Sequence, residues 1–426
     1  MASTSQHLLL SPAELAYLHS TLSLAPPLRP DGRTATQFRP LTAETGILPG
    51  ANGSARICFA DGTEAVVGVK AEVEKTAGAS ISNEDESPPE PRQRMRERKQ
   101  QGKGKGKTKS TAISTEGEDE DEDEAGETEA AASSAERRGE NDWVELAVEI
   151  PGYRDDDSGT VFLATMLSEA LLADGELTKK LWINRRYHWK LYLDIILISP
   201  PLSYPLPLLS LTTHLALLAT RLPRLKSEGD EDPMFEDDWA ASQFIYPRSN
   251  TTTASITSPT PTPSPTNVSR PPITLLVMAV GDNIIFDPSK EELAVADCAL
   301  AVSVGEKADD ADDAEAKATA RTLRLLSVRT IDPPSRLTAP GVPNAVNAAA
   351  WGQGGGGGGG AATTPGAAAA KETGLRAAET GDVEGVWKAP RGGSKISMIS
   401  TMVEKILEKG GVADEVLEGL DGVELA

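Results

Sequence analysis

Apolar and polar residues alternate along the chain with several different periods, and each period predicts one type of secondary structure. Strict alternation predicts strands, whereas apolar residues three and four positions apart predict helices with one buried face. In the first part of the chain these patterns predict helices over residues 11–22, 160–172 and 208–222, and strands over 54–59, 64–73, 143–150 and 189–199. In the second part they predict strands over 273–280, 284–287, 296–304 and 322–330, and a helix over 394–408. Hairpins are followed by helices in both parts, which indicates an α+β fold.

Short polar signals mark where several of these elements begin and turn. Ser11 and Pro12 are typical of the start of a helix, as a capping side chain followed by a proline in the first turn. The Asp61-Gly62 pair between two alternating runs predicts a hairpin, because this dipeptide accepts the tight turn that twisted strands require.

Long stretches between the predicted elements have no apolar period. Residues 92–109 contain nine basic residues and one acidic residue, and residues 116–129 contain ten acidic residues and no basic one. Such segments bury too little apolar surface to offset an ordering cost of about 1–2 kcal/mol per residue. We therefore predict long disordered insertions at 77–140 and at 337–378, and the second of these includes seven consecutive glycines.

These composition changes also predict the domain organisation. The predicted units are an N-terminal helix in residues 1–26, a first domain at 27–224, an acidic and Ser/Thr/Pro-rich linker at 225–270, a second domain at 271–412 and a tail at 413–426.

Charge restricts the partners that the chain can attract. Its 426 residues include 42 Lys and Arg against 64 Asp and Glu, a formal net charge of -22. At long range this charge repels nucleic acid, so RNA contact requires a local basic patch or partner proteins. The only two cysteines, Cys58 and Cys298, exclude a disulfide scaffold and indicate a reducing compartment. We expect neither a secretory signal nor a membrane span from the apolar runs.

Several phrases follow one another in the order seen in a known family. They are Arg29-Pro-Asp-Gly-Arg33, Phe38-Arg-Pro40, Val67-Gly-Val-Lys-Ala-Glu-Val73, Trp189-Lys-Leu-Tyr-Leu-Asp194 and Asp287-Pro-Ser-Lys-Glu-Glu292. Together they resemble RNase PH-like proteins, and among these the eukaryotic exosome ring subunit that descends from the archaeal non-catalytic partner. The resemblance implies an RNase PH-like fold of two βαβα-type subdomains. It also implies a six-membered ring with other RNase PH-like subunits, RNA-binding cap proteins, RNA in the ring channel, and a location in nucleus, nucleolus and cytoplasm.

Phosphorolysis of RNA requires donors for the attacking phosphate, a carboxylate near the leaving oxygen and basic residues along the RNA. Active RNase PH relatives hold phosphate on a Gly-Gly-Thr-Arg-like turn at a helix N-terminus. The corresponding stretch here, residues 202–207, has no glycine and no arginine, and Pro205 and Pro207 remove two N–H donors. Ser203 retains one hydroxyl donor there, which is a poor phosphate site, so we predict that the chain is not an enzyme.

Three carboxylates fall where active relatives carry theirs, and we interpret them as vestigial. They are Asp287, Glu291 and Asp297. The structural alternative is that Asp287 caps a turn before Pro288, that Glu291 is solvated and that Asp297 marks a strand edge.

A basic and aromatic cluster precedes the strand predicted at 189–199. Arg185, Arg186 and Lys190 are our candidate RNA-binding residues. The alternative is a surface turn in which Trp189 enters the core, or a salt bridge to a ring neighbour.

Other arginines carry the same ambiguity. Arg33, Arg39 and Arg56 face RNA in one interpretation, and in the favoured one they pair with nearby carboxylates. Scattered histidines and two distant cysteines form no metal set, so we expect no metal and no cofactor.

The predicted function is therefore that of a non-catalytic structural subunit of the exosome ring. It would support 3′-to-5′ RNA processing and degradation, including rRNA processing and mRNA turnover, by associated nucleases. Two alternatives stay open at this point: an active phosphate-dependent 3′-exoribonuclease, and an adaptor that acts through its charged blocks.

Overall fold

The computed structural model describes residues 10–76, 139–154, 156–227, 229, 231–247, 270–306, 322–337, 341, 385–391 and 393–425. The predicted insertion at 77–140 lies outside these residues except for its last two. The insertion at 337–378 lies outside them except for residues 337 and 341. Residues 248–269 of the predicted linker also lie outside the described residues.

The first half of the chain forms a five-stranded sheet with its helices. In chain order the elements are helix α1 (Pro12–Leu22), strands β1 (Leu41–Thr45), β2 (Gly53–Phe59), β3 (Glu64–Lys75) and β4 (Val144–Glu149), helices α2 (Ser158–Leu172) and α3 (Glu176–Lys180), strand β5 (Tyr187–Leu197) and helix α4 (Leu206–Leu218). The strand order is β1-β2-β3-β5-β4, and only β4 and β5 run parallel. The hairpin predicted at Asp61-Gly62 joins β2 to β3, with Gly62 at a φ of +84°.

The second half forms a four-stranded antiparallel sheet. The elements that follow α4 are strands β6 (Arg221–Leu222), β7 (Gln243–Phe244), β8 (Ile273–Val280) and β9 (Asn283–Phe286), helix α5 (Lys290–Leu293), strands β10 (Cys298–Glu306) and β11 (Leu323–Ile331), and helices α6 (Ile396–Leu407) and α7 (Val412–Asp421). Four of these strands pair in the order β11-β10-β8-β9, and β6 pairs with β7. These sheets and helices confirm the predicted α+β class.

Helix α4 lies between the two sheets and joins them into one core. All thirteen of its residues are buried. It packs on β2 and β3 of the first sheet and on β8 of the second. A helix that is buried on every face requires packing partners all round it, and the two sheets that flank α4 supply them. His214 on α4 is fully buried and its Nδ1 lies 2.8 Å from the Pro271 carbonyl oxygen, so it is a core residue.

Strand β8 is buried on both of its faces. Leu275 and Val277 belong to the large core around α4, whereas Leu276 and Met278 pack in a second core that includes Leu15 of α1. Continuous apolar sequence, rather than alternation, is what a strand covered on both sides requires.

A capping box between Ser11 and Glu14 begins α1 at the predicted residue.

Several elements differ from the predictions. The sequence patterns predict no strand at 41–45, where the structure has β1. This strand forms an exposed edge with little buried surface, so its sequence shows no apolar period. The helix predicted at 208–222 spans Leu206–Leu218, with Pro207 accommodated in its first turn and residues 221–222 forming β6. Part of the predicted linker also packs, since Ile245 and Tyr246 are buried beside β7.

The region assigned to a tail at 413–426 contains helix α7. Ala413, Leu417 and Leu420 of this helix are buried, and the carbonyl of Glu424 accepts a hydrogen bond of 2.8 Å from the Thr45 hydroxyl on β1. Apolar residues three and four positions apart explain this packing. The C-terminal segment therefore contributes to the core. Among the described residues, no helix is both long and apolar enough to cross a membrane.

Replacing Leu417 by alanine tests whether α7 is part of the folded core. Leu417 is 3% exposed. Its truncation should lower the free energy of unfolding by about 2–5 kcal/mol, because it removes buried apolar surface and leaves a cavity. Urea denaturation followed by circular dichroism measures the difference. Glu418→Ala, one residue away and exposed, is the matched control and should change stability by less than about 0.5 kcal/mol. Equal effects of the two variants would show that α7 does not pack as described.

Candidate functional site: an arginine–carboxylate cluster

Three arginines of the loop after α1 converge on the end of β9. The loop is held in place by backbone hydrogen bonds, because Phe286 N–H donates to the Ala35 carbonyl at 2.8 Å and Arg39 N–H donates to the Asp287 carboxylate at 2.9 Å. Asp287 follows β9 directly and adopts a φ of +45°, a left-handed conformation that aspartate tolerates better than most residues. This turn directs its side chain towards the loop.

Arg29 is bound in two-point fashion by Glu292. Its Nε and Nη2 donate to the two carboxylate oxygens at 2.7 and 2.8 Å. The same guanidinium donates to the backbone carbonyls of Thr34, Phe286 and Asp287 at 3.0–3.1 Å. Both side chains of the pair are fully buried. Every direction in which this guanidinium can donate is therefore occupied by protein oxygen.

Asp287 accepts from two further arginines. Arg33 Nη1 donates to its carboxylate at 2.9 Å, and Arg39 Nη2 donates at 2.6 Å. Arg33 also donates through Nε to Asp31 at 2.5 Å. Asp287 is 1% exposed, and a charge that is so buried requires paired and hydrogen-bonded neighbours.

Arg39 connects this cluster to the first sheet. Its Nη1 donates to Asp61 in the β2–β3 turn at 2.6 Å and to the Ser203 hydroxyl at 2.7 Å. Its guanidinium carbon lies 4.5 Å from the centre of the Phe59 ring, within cation–π distance. One side chain thus joins the loop, both halves of the chain and the stretch that precedes α4.

Every positive charge in the cluster is compensated by carboxylates. Three guanidinium groups, on Arg29, Arg33 and Arg39, face four carboxylates, on Asp31, Asp61, Asp287 and Glu292. The cluster therefore offers no surplus positive charge to an incoming phosphate. Structural pairing, the favoured interpretation of Arg33 and Arg39, agrees with these contacts, and Arg56 likewise pairs with Glu64 at 2.5 Å.

Protonation states in the cluster follow from these contacts. Burial by itself raises the pKa of the Asp287 carboxyl, but hydrogen bonds and charge from Arg39, together with the charge of Arg33, outweigh burial and lower that pKa below its usual value. Burial opposes the charged form of Arg39, and its carboxylate partners nevertheless raise its pKa. Asp287 and Arg39 are consequently both charged at neutral pH.

The stretch compared with the phosphate turn lies at the start of α4. Ser203 is buried and accepts from Arg39, and Tyr204 is largely buried, which raises the pKa of its hydroxyl. Pro205 occupies the N-cap position of α4, and its side chain has no polar atom that could hydrogen-bond the first turn. This helix terminus therefore has few donors for an anion.

The three predicted carboxylates are not brought together. Asp287 lies inside the cluster after β9, whereas Asp297 accepts from Gly281 N–H at 2.7 Å, before β9, and lies 3.8 Å from His19. The four residues of β9 separate these positions by about 13 Å. Glu291 is exposed to solvent. For Glu291 the solvated alternative agrees with the structure.

Sequence reasoning missed Glu292, the fully buried partner of Arg29. Its neighbour Glu291 was chosen instead, because that position corresponds to a carboxylate of active relatives. The signal that was available is the capping box of α5, in which Ser289 and Glu292 bond each other's backbone N–H groups. A capping glutamate at the start of a short buried helix is a better candidate for burial than the residue before it.

The candidate RNA-binding residues lie around the start of β5. Arg185 is exposed, and Arg186 Nη2 donates to Asp232 at 3.0 Å. Lys190 lies 3.7 Å from Glu145 and 3.9 Å from Glu74. Each of the two paired residues therefore has an acidic neighbour within the chain.

The aromatic residues of this cluster are structural. Trp189 packs on Phe235 with ring centres 4.9 Å apart, and His188 stacks on Trp143 at 4.3 Å. Burial lowers the pKa of His188. Trp189 thus enters the core, as the alternative interpretation of this cluster states. Among the described residues, no group of three or more His, Cys, Asp or Glu side chains is arranged to hold a metal ion.

Comparison with known proteins gives one relative over most of the chain. The exosome complex component RRP42 of Saccharomyces cerevisiae is 26% identical over 300 residues, which cover 69% of this chain and 81% of RRP42. This chain is a homologue of RRP42. The exosome complex component rrp42 of Schizosaccharomyces pombe is 49% identical over 65 residues, 15% of this chain and 22% of that protein. The homology confirms the resemblance to an exosome subunit. No family model matches the chain.

Solved structures with similar backbones cover most of this RRP42 homologue. An archaeal exosome core chain covers 74% of it with a TM-score of 0.40 and 16% identity, and 84% of that chain is matched. An Archaeoglobus fulgidus exosome with RNA bound to the active site covers 75% of it, with 86% of that chain matched, at a TM-score of 0.39 and 16% identity. Rice (Oryza sativa) Rrp46 covers 71% of it, with 85% of that chain matched, at a TM-score of 0.33 and 11% identity.

Asp287→Asn tests the cluster as an ionic structure. Asparagine also tolerates a positive φ, so the change removes charge without adding backbone strain. At pH 7 it should lower the free energy of unfolding by about 3–5 kcal/mol, because Arg33 and Arg39 each lose their buried carboxylate partner. The folded-state pKa of Asp287 is lowered, so its stabilising contribution is present above the unfolded value of about 3.9 and is lost as pH falls through the folded value.

Chemical denaturation at several pH values between 3 and 7 measures both effects. The difference between wild type and Asp287→Asn should shrink as the pH falls below about 4. Glu291→Gln, an exposed carboxylate four residues away, is the control and should leave stability nearly unchanged. A deficit for Asp287→Asn that stays constant across this pH range would contradict an ionic role.

Proposed function

We propose that this chain is a non-catalytic subunit of the RNA exosome ring. In this role it supports 3′-to-5′ RNA processing and degradation, including rRNA processing and mRNA turnover, while associated nucleases perform the chemistry. Its homology to RRP42, an exosome complex component, supports membership of the core. The balanced arginine cluster is the observation that carries the non-catalytic part of the proposal.

Catalysis of phosphorolysis would require an anion site that the described residues do not supply. Arg29, Arg33 and Arg39 are bound to carboxylates, and the start of α4 carries prolines in place of donors. Removal of one donor from a site that stabilises a developing anion typically costs about 10²–10³ in rate. Two missing N–H donors and a missing arginine therefore favour a structural role over an active phosphorolytic exoribonuclease.

Partners and location are part of the same proposal. The chain assembles with other RNase PH-like subunits in a hetero-oligomeric six-membered ring, contacts RNA-binding cap proteins and meets RNA at the ring channel. It works in nucleus, nucleolus and cytoplasm. Packed core elements and a large ordered surface suit a ring wall, and the negative net charge of -22 places RNA attraction on its partners.

A phosphorolysis assay separates a structural subunit from an enzyme. The purified chain, incubated with uniformly labelled single-stranded RNA and inorganic phosphate, should release no labelled nucleoside diphosphates above a protein-free control, because no uncompensated anion site is present among the described residues. Thin-layer chromatography measures the release. Phosphate-dependent release that disappears in Asp297→Asn but persists in Glu291→Gln would contradict the proposal.

Affinity purification followed by mass spectrometry should recover other ring subunits, and their absence would contradict ring membership independently.

Arg185, Arg186 and Lys190 are proposed to contact RNA backbone in the assembled ring. Replacing all three by alanine should reduce the slope of log affinity against log salt by about 0.7 for each RNA phosphate that the variant no longer neutralises. Filter binding of single-stranded RNA to the assembled complex at several salt concentrations measures this slope. Lys179→Ala removes one exposed basic residue from neighbouring α3 and is the control. An unchanged slope in the triple variant would show that these three residues do not neutralise RNA phosphates.

A further inference from the structure

Strand β4 forms an open edge of the first sheet. Among the described strands it pairs only with β5, so the backbone N–H and C=O groups along its other side have no strand partner. An open edge of six residues is long enough for an extended peptide to add as one more strand, with main-chain hydrogen bonds supplying part of the affinity. The opposite edge of the same sheet is β1, which provides an internal comparison.

A groove runs beside this edge, between β4 and helix α2. Its volume is about 620 Å³, enough for several side chains of a bound segment. Val144 and Leu146 of β4 and Ala164 and Leu172 of α2 form the apolar side of its lining, and Asn141, Thr165 and Ser168 add uncharged polar groups. The groove therefore favours apolar side chains that point to the same face of the sheet as Val144 and Leu146 do.

The opposite face of β4 is acidic. Glu145, Ala147 and Glu149 alternate with the inward-facing residues and are exposed. At the groove itself the charged lining residues are Asp142 and Glu169, of which Glu169 pairs with Arg329. Because side chains of an added strand also alternate between faces, one set would meet the apolar side of the groove and the other would meet Glu149 and Glu145, of which Glu145 also lies 3.7 Å from Lys190.

We infer that the β4 edge is a docking site for an extended segment of a partner protein in which apolar and basic residues alternate. Backbone pairing with β4 would hold the segment, its apolar side chains would fill the groove beside α2, and its Lys or Arg side chains would approach Glu145 and Glu149. The same carboxylates repel the phosphates of RNA, so the site selects a basic polypeptide over a nucleic acid. The inference does not depend on ring membership.

Fluorescence anisotropy of a labelled eight-residue peptide of alternating valine and lysine, titrated with the full chain, tests the inference. This peptide should bind at least about tenfold more tightly than a peptide with four valines followed by four lysines, because only the alternating sequence satisfies both faces of one strand. N-methylation of alternate amides should abolish binding, since it removes the donors that pair with the edge. Glu149→Lys should weaken binding about five- to tenfold by replacing attraction with repulsion.

Glu44→Lys is the matched control, because Glu44 is an exposed glutamate on β1 at the other edge of the same sheet. It should change the affinity by less than about twofold if the peptide binds at β4. Equal affinity for the alternating and blocked peptides would overturn the inference, and so would equal weakening by Glu44→Lys and Glu149→Lys. Sedimentation of the full chain provides a further outcome: self-association that Glu149→Lys abolishes would assign the edge to a second copy and overturn docking of a different protein.

Discussion

The carboxylate of Asp287 is the point on which the described architecture converges. Two guanidinium groups, one backbone N–H and a left-handed backbone conformation hold it in a site that is almost closed to water. Burying charge is costly, and its cost is offset only when donors and acceptors match in number and direction. The cluster therefore fixes how the loop after α1, strand β9 and the turn at Asp61 lie relative to one another. Helix α4 supplies the apolar counterpart, since it packs on both sheets at once.

This ionic pairing also decides what the site can do. An arginine binds phosphate well when its fork of donors faces open space, as an anion then replaces water. Here the forks of Arg29, Arg33 and Arg39 already face protein carboxylates and carbonyls. A phosphate would have to displace an internal carboxylate that is held at high effective concentration. The same residues that stabilise the fold thus make the centre a poor anion site.

The sequence was sufficient for elements whose burial is periodic or continuous, such as β8, α4 and α6, because their apolar pattern is itself the cause of their packing. It was insufficient for β1, which is stabilised by pairing with β2 rather than by buried side chains. The candidate site shows the same limit. The motifs identify Asp287, but its partners Arg33 and Arg39 precede it by 254 and 248 positions in sequence, and only the fold brings them together. Motif comparison also chose Glu291 over Glu292, since only the three-dimensional position of Arg29 distinguishes these neighbours.

A balanced interior leaves recognition to the surface. Most of the net charge of -22 cannot reside in the cluster, where three cations meet four anions, so it is carried by other segments and faces. Strand edges can also bind partners, because an open sheet has unpaired backbone N–H and C=O groups along each of its two edge strands. At β4 an apolar groove and an acidic face occur on the two sides of one open edge. Because side chains alternate between the two faces of a strand, a segment that pairs with β4 needs alternating apolar and basic residues. This requirement gives specificity without any catalytic group.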